Sequence, residues 1–313
     1  MKKLLVLISA LAAFSFGSAK ADVSVSGAGS VIGQSIGSQT NIAVGGSIAF
    51  GLSTTLDNGV SVSSSGVSLG IGTDGTVGTG DSSVDDADAF HQITFAAGGT
   101  SLTVGMDLEI DYADAGVGGV AGDDVSRGLG TGTSSLTVGD FEGAGFALST
   151  AMGSATVGIG YLYNNGSSKN VQDMSASGNV GASAFKVSLP VGPLSATVAY
   201  MVDDSSTKIT TTGANVAYAL PSGTVKVGYV SADGSSDGTK MSAAYSTTLG
   251  DGTSVAVGYT STDVDSSATT SDLEVSVSRS IGAGASIFVD MHNRNSVSSG
   301  ETSSVAVGSS FSF

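Results

Sequence analysis

Apolar residues recur at every second position through most of the chain, in runs of about 9 to 11 residues, the length of a tilted strand that crosses a hydrocarbon layer. Between Ser254 and Thr262, Val255, Val257 and Tyr259 share one face; between Thr224 and Ser231, Val225, Val227 and Tyr229 do the same. The alternate positions hold mostly Gly, Ser, Ala and Thr, too small and polar to fill a core, so the apolar face is the one that must meet lipid. The pattern predicts sixteen strands, at about 22–33, 42–56, 60–72, 88–97, 101–110, 143–151, 154–163, 180–189, 194–202, 212–220, 224–231, 240–249, 254–262, 272–281, 285–292 and 303–313. Tight connections such as Asp57-Asn58-Gly59, Gly98-Gly99, Pro221-Ser222-Gly223 and Asp251-Gly252 alternate with longer Ser/Asp/Gly-rich ones. Pro190, Pro193 and Pro221 all fall in the tight class, where a missing N–H costs no ladder bond. An even strand number puts both termini on one side and lets the first and last strands pair. The stretch Ser134 to Phe141 also alternates, through Leu136 and Val138, but as a strand would spoil that parity unless Met152-Gly153 were an external turn, and it is assigned to a loop.

Composition separates this pattern from that of a soluble sheet. Only 12% of residues are charged, against roughly 25% in ordinary soluble domains, and mean hydropathy is positive, +0.28, despite 47 Gly. Regularly spaced Val, Ile and Leu exclude a disordered chain. Met1-Lys2-Lys3, the apolar run Leu4 to Phe16, and Ala19-Lys20-Ala21 together read as an export signal over 1–21, leaving a mature domain at 22–313. No later stretch approaches a spanning helix, so the remaining way to cross a bilayer with every backbone group paired is a closed, antiparallel, all-β transmembrane barrel. Tyr163, Tyr200, Tyr229 and Tyr259 fall towards one end of the strands, and Tyr218, Tyr245, Phe311 and Phe313 towards the other, as two interfacial girdles would require.

Without Lys2, Lys3 and Lys20, the mature chain sets eight bases against 27 acids, which argues against nucleic acid as a partner. The absence of Cys and the presence of only two His close off thiolate chemistry and most transition-metal sites. No His is placed as a general base beside a plausible Ser nucleophile, so no enzymatic step is expected. His91 and His292 lie near strand ends and point to neither metal binding nor catalysis. The longest connection, about 111–142, carries Asp111, Asp114, Asp123, Asp124, Asp140 and Glu142 against Arg127 alone. Leu102, Val104, Met106, Leu108 and Ile110 precede it on one parity, so Asp107 and Glu109 are expected to project into the lumen. Carboxylates clustered in a narrow pore favour cations. Lys186 and Lys226 share inward parity and are candidates for the opposing wall, and Asp290 and Glu274 face inward by the same parity; each could instead be half of a buried lumen salt bridge. Arg279 has outward parity near the inner turn, where it would snorkel to the interface unless a bulge slips the register there. No cofactor is required, although Asp123 and Asp124 could hold one structural Ca²⁺.

The last strand, Ser303 to Phe313, sets Val305, Val307, Phe311 and Phe313 on one face and finishes on an aromatic residue. This resembles the terminal signature of bacterial outer-membrane barrels, which implies recognition of Phe311 and Phe313 by the barrel assembly machinery. The whole mature chain, from Asp22-Val23-Ser24-Val25-Ser26-Gly27 to Ser310-Phe311-Ser312-Phe313, resembles an alphaproteobacterial (Rhodobacter-type) general diffusion porin of the Gram-negative trimeric porin superfamily. Ser101-Leu102-Thr103-Val104-Gly105, followed by a long acidic segment, is similar to that family's fifth strand and constriction loop. The resemblance implies a homotrimer of sixteen-stranded barrels in the bacterial outer membrane, the 111–142 loop folding inward, and small hydrophilic solutes and ions as cargo. It departs from the family on the basic side, since the mature chain has only Arg127, Arg279 and Arg294 where family pores cluster arginines. The expected function is passive diffusion through a water-filled, cation-preferring channel. The alternative is a non-conducting surface or adhesive β-protein, either a barrel or a secreted β-solenoid.

Overall fold

The computed structural model describes residues 22–36, 39–64, 67–73, 82–83, 92–110, 112, 142–165, 180–204, 208–234, 237–265, 269–296 and 300–312. They form a single antiparallel sheet that closes on itself. In chain order the strands are β1 (Asp22–Ile36), β2 (Gln39–Thr55), β3 (Ser61–Ser64 and Val67–Thr73), β4 (Ser82–Ser83 and Gln92–Ala97), β5 (Thr100–Glu109), β6 (Glu142–Met152), β7 (Ala155–Asn165) and β8 (Val180–Val191). The second half comprises β9 (Leu194–Asp203), β10 (Thr210–Leu220), β11 (Gly223–Asp233), β12 (Gly238–Thr248), β13 (Thr253–Val264), β14 (Thr270–Gly282), β15 (Ala285–Ser296) and β16 (Gly300–Ser312). The two segments of β3 run along β2, and those of β4 along β3, so each pair completes one strand of a sixteen-stranded barrel. Closure comes from β1 pairing with β16, from Ala28 opposite Ser312 to Ile36 opposite Ser304. No helix among the described residues is long and apolar enough to cross a membrane, and the closed sheet supplies instead what a bilayer demands, a backbone paired without an edge.

The predicted strands correspond one for one to these, and the solenoid alternative is replaced by a closed barrel. Two details differ. The first two strands extend to Ile36 and from Gln39, so their connection shrinks to 37–38. Pro190 lies inside β8, opposite Ser195, rather than in the turn; it occupies the next-to-last ladder position, close enough to the strand end for a lost donor to be tolerated. The stretch 134–141 lies outside the described residues. At the tight turns, Gly98 and Gly99 both have positive φ, +56° and +82°, the backbone of a two-residue hairpin whose twist matches its strands.

Parity divides the wall into two surfaces. Val198, Tyr200, Val225, Val227, Tyr229, Val257 and Tyr259 are exposed on the outside. On the inside, hydroxyl pairs bridge neighbouring strands, Thr94 with Thr103 at 2.9 Å, Ser188 with Thr197 at 2.8 Å and Ser286 with Ser310 at 2.8 Å. Each such cross-strand pair contributes roughly 0.2–1 kcal/mol. Tyr200, Tyr229 and Tyr259 sit near the ends of β9, β11 and β13 that lead into the longer connections. Tyr218, Tyr245 and Phe311 lie at the end with the tight turns, where the Tyr245 hydroxyl donates to the carbonyl of Ser222 at 2.9 Å.

Candidate functional site

The inner wall carries two chemically different regions. The first begins where β5 ends. One extra residue between Gly105 and Leu108 forms a bulge against β6, so that Gly105 faces Gly145 while Leu108 faces Gly143. The bulge reverses parity. Leu108 and Ile110 therefore turn to the inner face and are buried, while Glu109 stands exposed on the alternate parity, opposite Glu142. The expected inward projection of Glu109 is thus corrected: an unbroken alternation in sequence spans a broken one in the strand.

From this point the chain crosses the inner wall. Leu108 pairs over β6, and Ile110 reaches β7, where Gly160 leaves room for it; a Cβ at Gly160 would stand 2.5 Å from Ile110 Cγ2 and 3.3 Å from the Tyr112 hydroxyl. Leu108, Ile110 and Tyr112 pack on Leu162, Ala182, Ala184, Ala199 and Met201, the inner faces of β7 to β9. Lys186 closes the seat. Its aliphatic stem lies over Gly158 and its ammonium sits 4.3 Å from the Tyr112 ring centroid, within cation–π range. Burial raises the Tyr112 pKa above the usual phenol value, which keeps the ring neutral beneath the cation. Lys186 is therefore inward, as its parity predicts, but engaged by the root of the long connection.

The second region lies on β14 and β15. Asp272 faces Arg294 and Glu274 faces His292 across the hairpin. Arg294 Nε donates to Asp272 Oδ1 at 2.8 Å, His292 Nε2 lies 3.0 Å from the same oxygen, and Glu274 Oε1 is 3.6 Å from His292 Nε2. Asp272, Glu274, Asp290 and His292 are all buried on the inner face, with Ser304 and Gln34 on the adjoining β16 and β1. Lys226 and Lys240 face inward from β11 and β12, Lys226 half-buried and Lys240 buried. The inward parity of Glu274, Asp290 and Lys226 holds, and the pairing of His292 and Arg294 with these acids is new. The hairpin register could have revealed it, because Asp272 and Arg294 are equidistant from Ala283, as are Glu274 and His292.

Of the other residues singled out in the sequence, Asp107 and Glu142 belong to β5 and β6, with side chains outside the described set. Asp111, Asp114, Asp123, Asp124, Arg127, Asp140 and Phe313 lie outside the described residues. Arg279 is outward and half-exposed, 3.4 Å from Asp251 in the adjacent tight turn.

A closed barrel of this strand number has counterparts among solved structures. The fold is that of the general porins. The in-vitro folded trimer form of OmpT, an outer membrane protein of Vibrio cholerae, shares it with a TM-score of 0.67 and 12% identity, over 94% of this chain and 99% of that one. An anion-selective porin from Comamonas acidovorans gives 0.70 and 11%, over 94% and 100%. A multiply substituted Rh. blastica porin gives 0.62 and 16%, over 93% and 100%. No family model matches the chain, and no curated protein matches it in sequence. At such identities the porin fold is what the chain shares with these structures.

Proposed function

We propose that this chain is an outer-membrane porin, a water-filled channel for passive diffusion of small hydrophilic solutes and ions. The observation that carries the reading is the division of one closed sheet into an apolar exterior and an inner face of hydroxyls and charges, with Leu108, Ile110 and Tyr112 packed on the inner wall where β5 ends. A barrel that only decorated the surface would have no use for that inward turn. Diffusion down a gradient requires no catalytic group, and a Ca²⁺ at Asp123 and Asp124 would be structural. The sequence resemblance supports an alphaproteobacterial lineage, delivery by the barrel assembly machinery through Phe311 and Phe313, and assembly as a homotrimer, which the trimer form of OmpT also supports.

The channel prefers cations. Acids exceed bases by 27 to eight in the mature chain, and the connection at 111–142 holds six acids and one Arg. At a constriction their field is focused by low-dielectric walls, whereas acids at an external mouth are screened beyond about 8 Å at physiological salt. The sign is this chain's own property, since the same fold serves the anion-selective Comamonas porin. Reversal potentials across planar bilayers under a KCl gradient test it. The expected result is a cation-side potential that shrinks when Asp111, Asp114, Asp123 and Asp124 are changed to Asn; an anion-side potential, or none of the expected change, contradicts the assignment.

A further inference from the structure

Among the described residues, the outer surface carries a built feature that diffusion does not use. A groove of about 650 Å³ runs across the outward faces of β13 to β16 and on to β1 and β2. Its walls are Val277, Ile287, Val289, Val307 and Val31, all exposed and apolar, and small residues, Gly33 and Ser309, lower its floor. One end lies at Arg279 and Thr253, beside the tight turns; the other lies at Gly33 and Ile42, near the opposite ends of β1 and β2. Five inter-strand steps of about 4.8 Å give it a length of roughly 24 Å. One leaflet of a hydrocarbon core is about 15 Å deep, half of the ~30 Å whole, so the groove is long enough to receive an acyl chain.

The polar end is specific. Arg279 Nη1 and Asp251 Oδ2 stand 3.4 Å apart with side chains 53% and 51% exposed, and Asp251 Oδ1 accepts from the Thr253 backbone N–H at 3.0 Å. That hydrogen bond, Thr253's side chain and the nearby guanidinium hold the Asp251 carboxyl below its usual pKa, so it stays charged. An exposed pair of this kind is weakly held and readily shared with a third group. It offers a cation and an anion side by side at the rim where an apolar groove begins.

Resting on the membrane-spanning reading, we infer that this groove binds a zwitterionic phospholipid bearing a primary ammonium, its phosphate on Arg279, its ammonium on Asp251 and one acyl chain along Gly33 and Ser309. Phosphatidylethanolamine has this chemistry. Phosphatidylcholine keeps the charges but has no N–H to donate to Asp251, and phosphatidylglycerol keeps the phosphate without the cation.

The test is native mass spectrometry of the purified, delipidated protein titrated with these three lipids on identical acyl chains. Phosphatidylethanolamine should be retained about fivefold more tightly than either of the others, the scale of one charge contact at a membrane surface. Asp251→Asn should bring it down to the phosphatidylcholine level, and Arg279→Gln should weaken it and phosphatidylglycerol together. Gly33→Leu fills the groove without touching the ion pair. Gly33 has extended backbone, and a Cβ there meets only the Val307 carbonyl, at 3.7 Å, so this variant folds and should lose retention of all three. Equal retention of the three lipids, or wild-type retention in Gly33→Leu, overturns the inference. So does a disulfide between protomers formed by Val289→Cys, which would put a second copy in the groove. Conductance of the same preparation is read separately, so the channel reading and the lipid reading fail independently.

Discussion

The two regions of the inner wall obey one alternation rule and use it oppositely. On β7 to β9 the inward positions include Gly158, Gly160, Ala182, Ala184 and Ala199, small enough that chain from β5 lies against them and buries Leu108 and Ile110 beside Leu162 and Met201. On β14 and β15 the inward positions include Asp272, Glu274, Asp290, His292 and Arg294; His292 and Arg294 reach Asp272 across the hairpin, and His292 lies 3.6 Å from Glu274. One side is a seat for another part of the chain, held by packing; the other is a charged surface whose hydrogen bonds meet at Asp272.

The sharpest way to break this comparison is to remove the acid that joins the charged side. Asp272→Ala strands Arg294 and His292 without their shared partner, and breaking a buried pair costs about 3–5 kcal/mol. The folded band on unheated gels should convert to the unfolded one at a markedly lower temperature, while Asp251→Ala leaves that conversion near wild type. On the packed side, Gly160→Val places methyl groups where Ile110 already is, an overpacking of about 1–3 kcal/mol. It should both lower stability and change single-channel conductance, since the root of the long connection must move. A conductance identical to wild type would mean that the seat does not position the connection.

A smaller effect belongs to the contact at the edge of the seat. Lys186→Met and Tyr112→Leu should each cost about 0.5–2 kcal/mol, and the double variant no more than either alone. Full additivity would show the two residues to be uncoupled. The smallest effect is at the rim. Because the folded-state pKa of Asp251 is depressed, its contribution to stability is present above the ordinary carboxylate value of about 3.9 and fades as pH falls through the lowered one. The Thr253 amide resonance should titrate below the usual Asp range and cease to titrate in Asp251→Asn.

Most of this architecture was legible in the sequence. Strands β9 to β16 are bounded by Gly-, Asp- and Pro-containing turns, and lipid on one side forces a clean period of two. The bulge in β5 was not legible, for a physical reason. Leu108 and Ile110 are apolar whether they face lipid or the seat, so the pattern Leu102 to Ile110 runs on unbroken while the parity reverses between Gly105 and Leu108. Glu109 was misplaced by that reversal. The charged hairpin was half legible: parity gave inward Glu274 and Asp290, and only register brings His292 and Arg294 to Asp272. Arg279 carried its own signal, since a charge on outward parity needs an interfacial partner, and Asp251 supplies it.

The central claim, that alternate residues of one strand face water and lipid, can be tested directly because the chain contains no cysteine. Lys226 and Val227 are neighbours on β11, Lys226 half-buried on the inner face and Val227 exposed on the outer. With Lys226→Cys or Val227→Cys in a planar bilayer, a charged, membrane-impermeant thiol reagent should reduce the current through the first variant and leave the second unchanged. Equal responses, or block through Val227→Cys alone, would contradict the assignment of the two faces and the channel that depends on it.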